Sequence, residues 1–263
     1  MPVIQRDCTI VAHKHLTGDL WRLELKAAYI APLVKPGQFV HLRIPGFEQH
    51  ILRRPFSVYQ VDVEKQAICI IYRVVGKGTK HMTELAVGTD VDLIGPTGRP
   101  WRIPEGAKKI LVIGAGVGAA PVYLLTEEAC ACGIDVSVVL GAQTHEELIF
   151  EDEYRALGAN VVCTTDDGSY GIAGFCTDAA KDLALKAQDE GAPFEYCAVC
   201  GPLPVMRITA GFTRDMGIPC EVSMEKRMAC GIGACLSCVL DTIDGKKRAC
   251  VDGPVFDANE VEW

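Results

Sequence analysis

Four thiols toward the C-terminal end are the residues of this chain best suited to chemistry. Cys230, Cys235 and Cys238 stand in Cys-x4-Cys-x2-Cys spacing within the segment Glu225 to Cys238, and Cys250 follows after a short interval. Thiolates so spaced hold a plant-type [2Fe–2S] cluster. Four sulfurs must converge on one small inorganic core, and Gly231, Gly233 and Ala234 leave the backbone free to turn its amides toward the sulfides. A structural zinc also takes four thiolates, but its ligands usually come as two pairs, and here the second half is a single cysteine. A zinc-stabilised binding module with no enzymatic role stays open, and it implies a colourless protein.

Composition narrows the context. Among 263 residues there are thirteen cysteines, an odd number better suited to metal or free thiols in a reducing compartment than to a disulfide framework. The first residues lack the pattern of a signal peptide and no apolar run reaches membrane-spanning length, so a cytoplasmic protein is expected. A net charge of -8 with no basic stripe argues against nucleic acid or an anionic membrane as partner. None of the six histidines forms a ligand pair.

The elements that must position the thiols fall into three stretches, 1–100, 101–224 and 225–263. In the first, short segments alternate apolar and polar residues between Gly and Pro breaks: Cys8 to Ala12, Leu20 to Leu25, Phe39 to Ile44, Ser57 to Val61 and Ile68 to Val75. Such a pattern predicts a small antiparallel barrel or sandwich. Two of its pieces carry chemistry: Arg53-Arg54-Pro55-Phe56-Ser57, and Ile71-Tyr72-Arg73 running on to Gly76-Lys77-Gly78-Thr79. A strand that ends in a glycine turn and opens a short helix presents free N–H groups to a pyrophosphate, and Arg54 can add a bidentate phosphate contact. Each piece alone also reads as an ordinary solvated turn.

In the middle stretch strand and helix alternate. The apolar run Lys109 to Ile113 predicts a buried parallel strand, followed by Gly114-Ala115-Gly116-Val117-Gly118 and a helix through Cys130. Further strands are expected at Asp135 to Leu140, Asn160 to Thr164, Tyr196 to Cys200 and Pro219 to Met224, with helices at Glu146 to Leu157 and Asp178 to Ala187. This is an open α/β domain with a mainly parallel sheet. Gly114, Gly116 and Gly118 meet the Rossmann dinucleotide fingerprint only in part, because the second strand ends at Gly141-Ala142-Gln143 with no acidic residue for a ribose. Asp166 and Asp167 after the third strand can accept from a free ribose diol and would repel a 2′-phosphate, which favours NAD over NADP; a plain solvated turn is the alternative. Cys197 and Cys200 lie three apart on a strand, facing opposite ways, so they are not a metal pair. After the thiols, Val239 to Cys250 predicts a hairpin with an Asp244-Gly245 turn that returns Cys250 to the others, and the tail to Phe256 is expected to finish that module.

Taken together, Arg54 to Ser57 with the Gly78-Thr79 turn, and Gly114 to Pro121 with the Cys200-Gly201-Pro202 turn, resemble the flavin and nucleotide domains of the ferredoxin reductase-like superfamily. That resemblance implies an FAD site at Arg53, Arg54, Pro55, Phe56, Ser57, Ile71, Tyr72, Arg73, Gly78 and Thr79, with Arg54 on phosphate, Phe56 against the isoalloxazine and Ser57 near N5. Phe56 stands where the superfamily has Tyr. It also implies an NAD site at Gly114, Gly116, Gly118, Asp166, Cys200, Gly201 and Pro202. With the thiol loop and Cys250 to Phe256 added, the whole chain resembles the electron-transfer subunits of NAD-dependent dihydroorotate dehydrogenase B. The resemblance implies an oxidoreductase of pyrimidine biosynthesis that works with an FMN-containing catalytic subunit in a heterotetramer of two plus two. The cluster would sit on Cys230, Cys235, Cys238 and Cys250, and no side chain of this subunit would act as a catalytic acid or base. Small subunits of NAD(P)H-ferredoxin oxidoreductases and sulfhydrogenases share the three parts; in some of them Asp replaces the first cluster cysteine, where this chain keeps Cys230.

Overall fold

The computed structural model describes residues 2–47 and 49–263. Alternation of buried and exposed residues builds the first unit. Strands β1 (Val3–Thr17), β2 (Leu20–Lys26), β3 (Phe39–Arg43), β4 (Arg54–Asp62), β5 (Ala67–Arg73) and β6 (Asp90–Thr97) close into a barrel in the order β1-β2-β5-β4-β3-β6. Neighbouring strands are antiparallel throughout, and inward-facing Ile10, Leu23, Leu25, Leu42, Val58 and Ile70 fill the centre. The first strand is longer than the expected Cys8 to Ala12. Register shifts along it let it pair with β6 through its first half and with β2 through its second, as bulged strands do when they turn a barrel corner. The last strand, β6, was not among the expected strands. Its alternation of Val91 and Leu93 is brief, and Gly95-Pro96 ordinarily ends a strand, yet here Gly95 still faces Val3 in the ladder. A short helix, α1 (Lys77–Met82), follows β5.

The second unit alternates strand and helix. In chain order it holds β7 (Lys109–Ala115), α2 (Ala119–Ala131), β8 (Asp135–Ala142), α3 (Glu151–Ala156), β9 (Asn160–Thr165), β10 (Ile172–Ala173), α4 (Cys176–Asp189), β11 (Tyr196–Cys200), α5 (Leu203–Asp215) and β12 (Cys220–Ser223). A hairpin of β13 (Val239–Thr242) and β14 (Gly245–Arg248) comes next, then β15 (Val255–Asp257). The sheet runs β10-β9-β8-β7-β11-β12-β15, and only β15 is antiparallel to its neighbour. Ile110, Leu111, Val112 and Ile113 are fully buried, as a central strand covered on both faces requires. Strand order reverses at β7, so the crevice past its C-terminal end is the switch point where open α/β sheets bind ligands.

Three features differ from the expected elements. The helix expected over Glu146 to Leu157 is broken: a 3-10 turn spans His145–Glu147, Phe150 is left-handed at φ 69°, and α3 starts at Glu151. Burial of Ile149 fixes the chain there against helix continuation. The helix α5 was not expected. The tail does not simply close the thiol module, because Val255–Asp257 joins the edge of the α/β sheet beside β12. Contacts sort the chain into one unit of Met1–Pro100, Glu225–Leu240 and Lys246–Pro254, and another of Trp101–Met224, Asp241–Gly245 and Val255–Trp263. No helix among the described residues is long and apolar enough to cross a membrane.

One buried carboxylate ties the α/β unit together. Glu221 on β12 is 7% exposed, and its Oε2 accepts from Tyr196 Oη at 2.6 Å and from the Arg102 N–H at 2.8 Å. Burial, with the Glu221 charge beside it, drives the Tyr196 hydroxyl far above its ordinary pKa. Glu221→Leu leaves both donors buried without an acceptor, and a loss of ~1–3 kcal/mol is expected in urea unfolding. An unchanged midpoint would refute a stabilising role for this contact.

Candidate functional site

The thiol loop has no regular structure between Ala229 and Ser237, and its geometry is set by three reversals: Gly231 at φ 68°, Gly233 at φ 83° and Leu236 at φ 60°. A non-glycine residue in that region is strained, and Leu236 holds it while exposed to solvent. The reversals turn amides inward. Ile232 and Cys235 N–H groups donate to Cys230 Sγ at 3.5 and 3.4 Å. Burial alone would raise the Cys230 thiol, but these donors, with the Cys235 side chain and the Ala234 N–H, bring its pKa down to about 7. Burial and contact with Cys238 push Cys250 up to about 12, against a donor from Gly233.

Cys230 contacts Cys235 and Cys238 contacts Cys250, and Cys230 is also close enough to Cys250 to raise its pKa. The Ala249 N–H donates to Cys238 O at 3.0 Å and fixes the second pair. Among the described residues no three Cys, His, Asp or Glu side chains gather around one ion-sized point. One tetrahedral zinc would need all four sulfurs ~2.3 Å from a single point. Two thiol pairs fringed with inward amides fit a binuclear iron–sulfur centre better, because each iron takes two of the four thiolates and the sulfides need donors.

Two residues that sequence reasoning did not single out brace this loop. Arg248 forks onto Asp252, with Nε to Oδ2 at 2.9 Å and Nη2 to Oδ1 at 3.2 Å, while its Nη1 reaches Gly233 O at 3.4 Å. His41 lies on the other side, its ring against Gly231. The Arg248–Gly233 and His41–Gly231 contacts leave no local sequence signal, since their partners lie apart in the chain.

In the barrel, Arg54 and the glycine turn come together. A Cβ on Gly78 would lie 3.2 Å from Arg54 Nε and Nη2 and 3.1 Å from Ile44 Cδ1, so the guanidinium crosses the turn at close range and a larger residue would have to displace a side-chain end. Thr79 Oγ1 accepts from the Val75 and Gly76 N–H groups at 2.9 and 3.2 Å, which shapes the turn and leaves its backbone to meet a ligand. Arg53 and Arg73 point elsewhere: Arg53 Nη2 pairs with Asp92 Oδ2 at 2.9 Å, and Arg73 Nε with Asp19 Oδ1 at 3.4 Å. Tyr72 is buried with its hydroxyl 2.8 Å from His13 Nε2, and its ring is 5.9 Å from that of Phe56. Ile71 is buried opposite Arg22, while Pro55, Phe56 and Ser57 pair with His41, Val40 and Phe39 of β3.

In the α/β unit two turns meet backbone to backbone. A Cβ on Gly118 would lie 2.4 Å from Cys200 O and 2.8 Å from Gly201 Cα; one on Gly201 would lie 2.8 Å from Ala115 Cβ, and one on Gly114 2.6 Å from Ala119 Cα. Gly116 has open space and a φ of 56°, so its role is conformational. The ends of β7 and β11 are therefore packed main chain against main chain, with Pro202 opening α5 beside them. Asp166 is exposed after β9, and its N–H donates to Ala142 O at 3.0 Å. Asp167 instead binds Ser169, whose hydroxyl and N–H hold its carboxyl below the usual range.

Comparison with known proteins was made against this geometry. A family model described as an oxidoreductase FAD-binding domain matches residues 7–101, and one for the iron-sulfur cluster binding domain of dihydroorotate dehydrogenase B matches residues 225–262. The electron transfer subunit of dihydroorotate dehydrogenase B (NAD(+)) from Fusobacterium nucleatum is 36% identical over 260 residues, covering 97% of this chain and 98% of that one. Its counterpart from Geobacillus thermodenitrificans is 37% identical over 259 residues, with 96% of each covered. The chain belongs to this electron transfer subunit family. Among solved structures, that of an NADH-dependent reduced ferredoxin-NADP oxidoreductase superposes with a TM-score of 0.88 at 31% identity, covering 98% of this chain and 91% of that one. The ferredoxin reductase of carbazole 1,9a-dioxygenase shares the fold, with a TM-score of 0.70 at 21% identity over 82% of this chain and 67% of that one.

For a member of this family the two glycine contacts make separable predictions. Gly118→Ala forces the dinucleotide turns apart, overpacking that costs ~1–3 kcal/mol, so the KM for NADH should rise about tenfold or more while FAD is retained. Arg54→Ala removes a charge-assisted contact of ~1.5–3 kcal/mol and should weaken FAD retention about ten- to a hundredfold, measured as flavin released on gel filtration. Unchanged KM in the first variant, or full flavin in the second, would contradict the assignments.

Proposed function

We propose that this chain takes electrons released when a separate FMN-containing subunit oxidises dihydroorotate, and delivers them to NAD+ in pyrimidine biosynthesis. The observation that carries the reading is the match of residues 225–262, with all four thiols inside it, to the iron-sulfur domain of dihydroorotate dehydrogenase B. Full-length relatives of that name support it. FAD and an iron–sulfur cluster are the cofactors, and NAD is the substrate. When bound, the cluster carries single electrons and the flavin exchanges one or two, so together they bridge a one-electron supply to the hydride acceptor NAD+.

The chain's own residues then have positional roles. Cys230, Cys235, Cys238 and Cys250 hold the cluster, and the amides of Ile232, Ala234 and Cys235 stabilise negative sulfur. Arg54 and the Gly78 turn hold the FAD pyrophosphate; Phe56 lies against the flavin ring and Ser57 hydrogen-bonds near it. Thr79 keeps the turn in shape. Gly114, Gly116 and Gly118, with Cys200-Gly201-Pro202, admit the dinucleotide along bare main chain. Exposed Asp166 accepts from the ribose diol, which favours NAD over NADP. None of these groups moves a proton. Two such chains join two catalytic subunits, with the thiol loop facing the partner, and the abundance of free thiols suits the cytoplasm.

A second reading, the small subunit of a ferredoxin-NADP oxidoreductase, draws on the fold match to such an enzyme at 31% identity. The curated relatives, 33–37% identical over nearly the whole chain, favour the first. The deciding experiment combines anaerobically purified protein with an FMN-bearing dihydroorotate dehydrogenase subunit, dihydroorotate and NAD+. NADH should appear, and no NADH with reduced ferredoxin active in its place would favour the second reading. The isolated protein should be brown-yellow, with about two irons and one FAD per chain. Cys235→Ser should abolish NADH formation from dihydroorotate and spare NADH oxidation by an artificial flavin acceptor; loss of both would make the loop purely structural.

A further inference from the structure

His41 is the side chain that the roles above do not absorb. It lies on β3 in register with Pro55, within the β4 segment assigned to the flavin, and it is 0% exposed. Among the described residues, both ring nitrogens are buried without a hydrogen-bond partner. In its neutral form the imidazole carries one N–H donor and one acceptor nitrogen. Buried polar groups are normally paired, and one that is not calls for a partner outside the chain. Its neighbours Val40 and Leu42 fill the barrel, and by the strand's period of two His41 faces the other way.

The direction of the ring identifies that partner. A Cβ built on Gly231 would lie 2.6 Å from His41 Nε2, 2.7 Å from Cε1 and 2.8 Å from Cδ2. The Nε2 edge therefore meets the residue immediately after Cys230, at a point where the loop keeps glycine at φ 68°. Backbone donors from Ile232, Ala234 and Cys235 serve the Cys230 sulfur from within the loop, and His41 approaches the loop from the barrel. Among the described residues no hydrogen bond accounts for an imidazole there.

We propose that His41 is a positioning residue of the electron relay: its Nε2–H donates to a sulfur of the iron–sulfur cluster on the Cys230 side and raises the cluster's reduction potential. A donor to sulfur stabilises the more negative, reduced cluster, and no proton is transferred. The inference rests on the cluster assignment made above.

The test uses the whole protein, purified anaerobically and reduced with dithionite. In pulsed EPR of protein labelled only at histidine with 15N, a nitrogen coupling to the paramagnetic centre should differ from that of unlabelled protein. It should be missing in His41→Leu. In EPR-monitored redox titrations His41→Leu should shift the cluster to a more negative potential, while His41→Gln, whose amide reaches to the same place, should restore most of the difference. A paramagnetic centre with no histidine-dependent coupling, or a His41→Leu potential equal to the parent's, overturns the proposal. If His41→Leu does not assemble, the labelled parent protein still decides. Absence of any paramagnetic centre in the unsubstituted protein would instead overturn the cluster assignment, and this inference with it.

Discussion

Sulfur bearing negative charge must be met by donors, and a polypeptide can supply them from its main chain only by reversing direction within a few residues. The loop after Ala229 does this with left-handed backbone at Gly231, Gly233 and Leu236. The result is a thiol, Cys230, whose pKa is brought down to about 7 with burial acting against it. The surrounding structure holds that shape. Arg248 and Asp252 lock the far side of the loop, Ala249 fixes Cys238, and the barrel strand β3 contributes His41 at the near side.

The barrel turn at Gly78 and the glycine turns of the α/β unit use the opposite device. There the need is not to aim many donors at one atom but to let two pieces of main chain, or main chain and a guanidinium, come closer than any side chain permits. Gly78 under Arg54 and Gly118 against Cys200 are two cases of the same constraint. Both sit at strand ends, where the barrel and the sheet are rigid and the following turn is free to be shaped.

How much of this was legible depended on how far apart the cooperating residues lie. The thiol spacing, the hairpin after it and the apolar run of β7 are local patterns, and they sufficed for the class of fold and the kind of metal centre. The strand β6 was hidden by Gly95-Pro96, a pair that usually marks an ending. The break before α3 depends on burial of Ile149, which no helical periodicity reveals. Arg53 and Arg73 meet Asp92 of β6 and Asp19 respectively, contacts that no local pattern reveals. His41 carries no local signal, because Gly231, the residue that gives it meaning, belongs to a distant part of the chain.

The division of the chain carries a consequence for how the molecule is made. The barrel's unit is finished only by Glu225–Leu240 and Lys246–Pro254, which follow all the strands and helices of the α/β unit except β15. Since a growing chain folds from its first residues onward, the six-stranded wall is made long before Cys230, Cys235, Cys238 and Cys250 leave the ribosome. Metal insertion is therefore a late step of biogenesis, performed on a scaffold that is already standing.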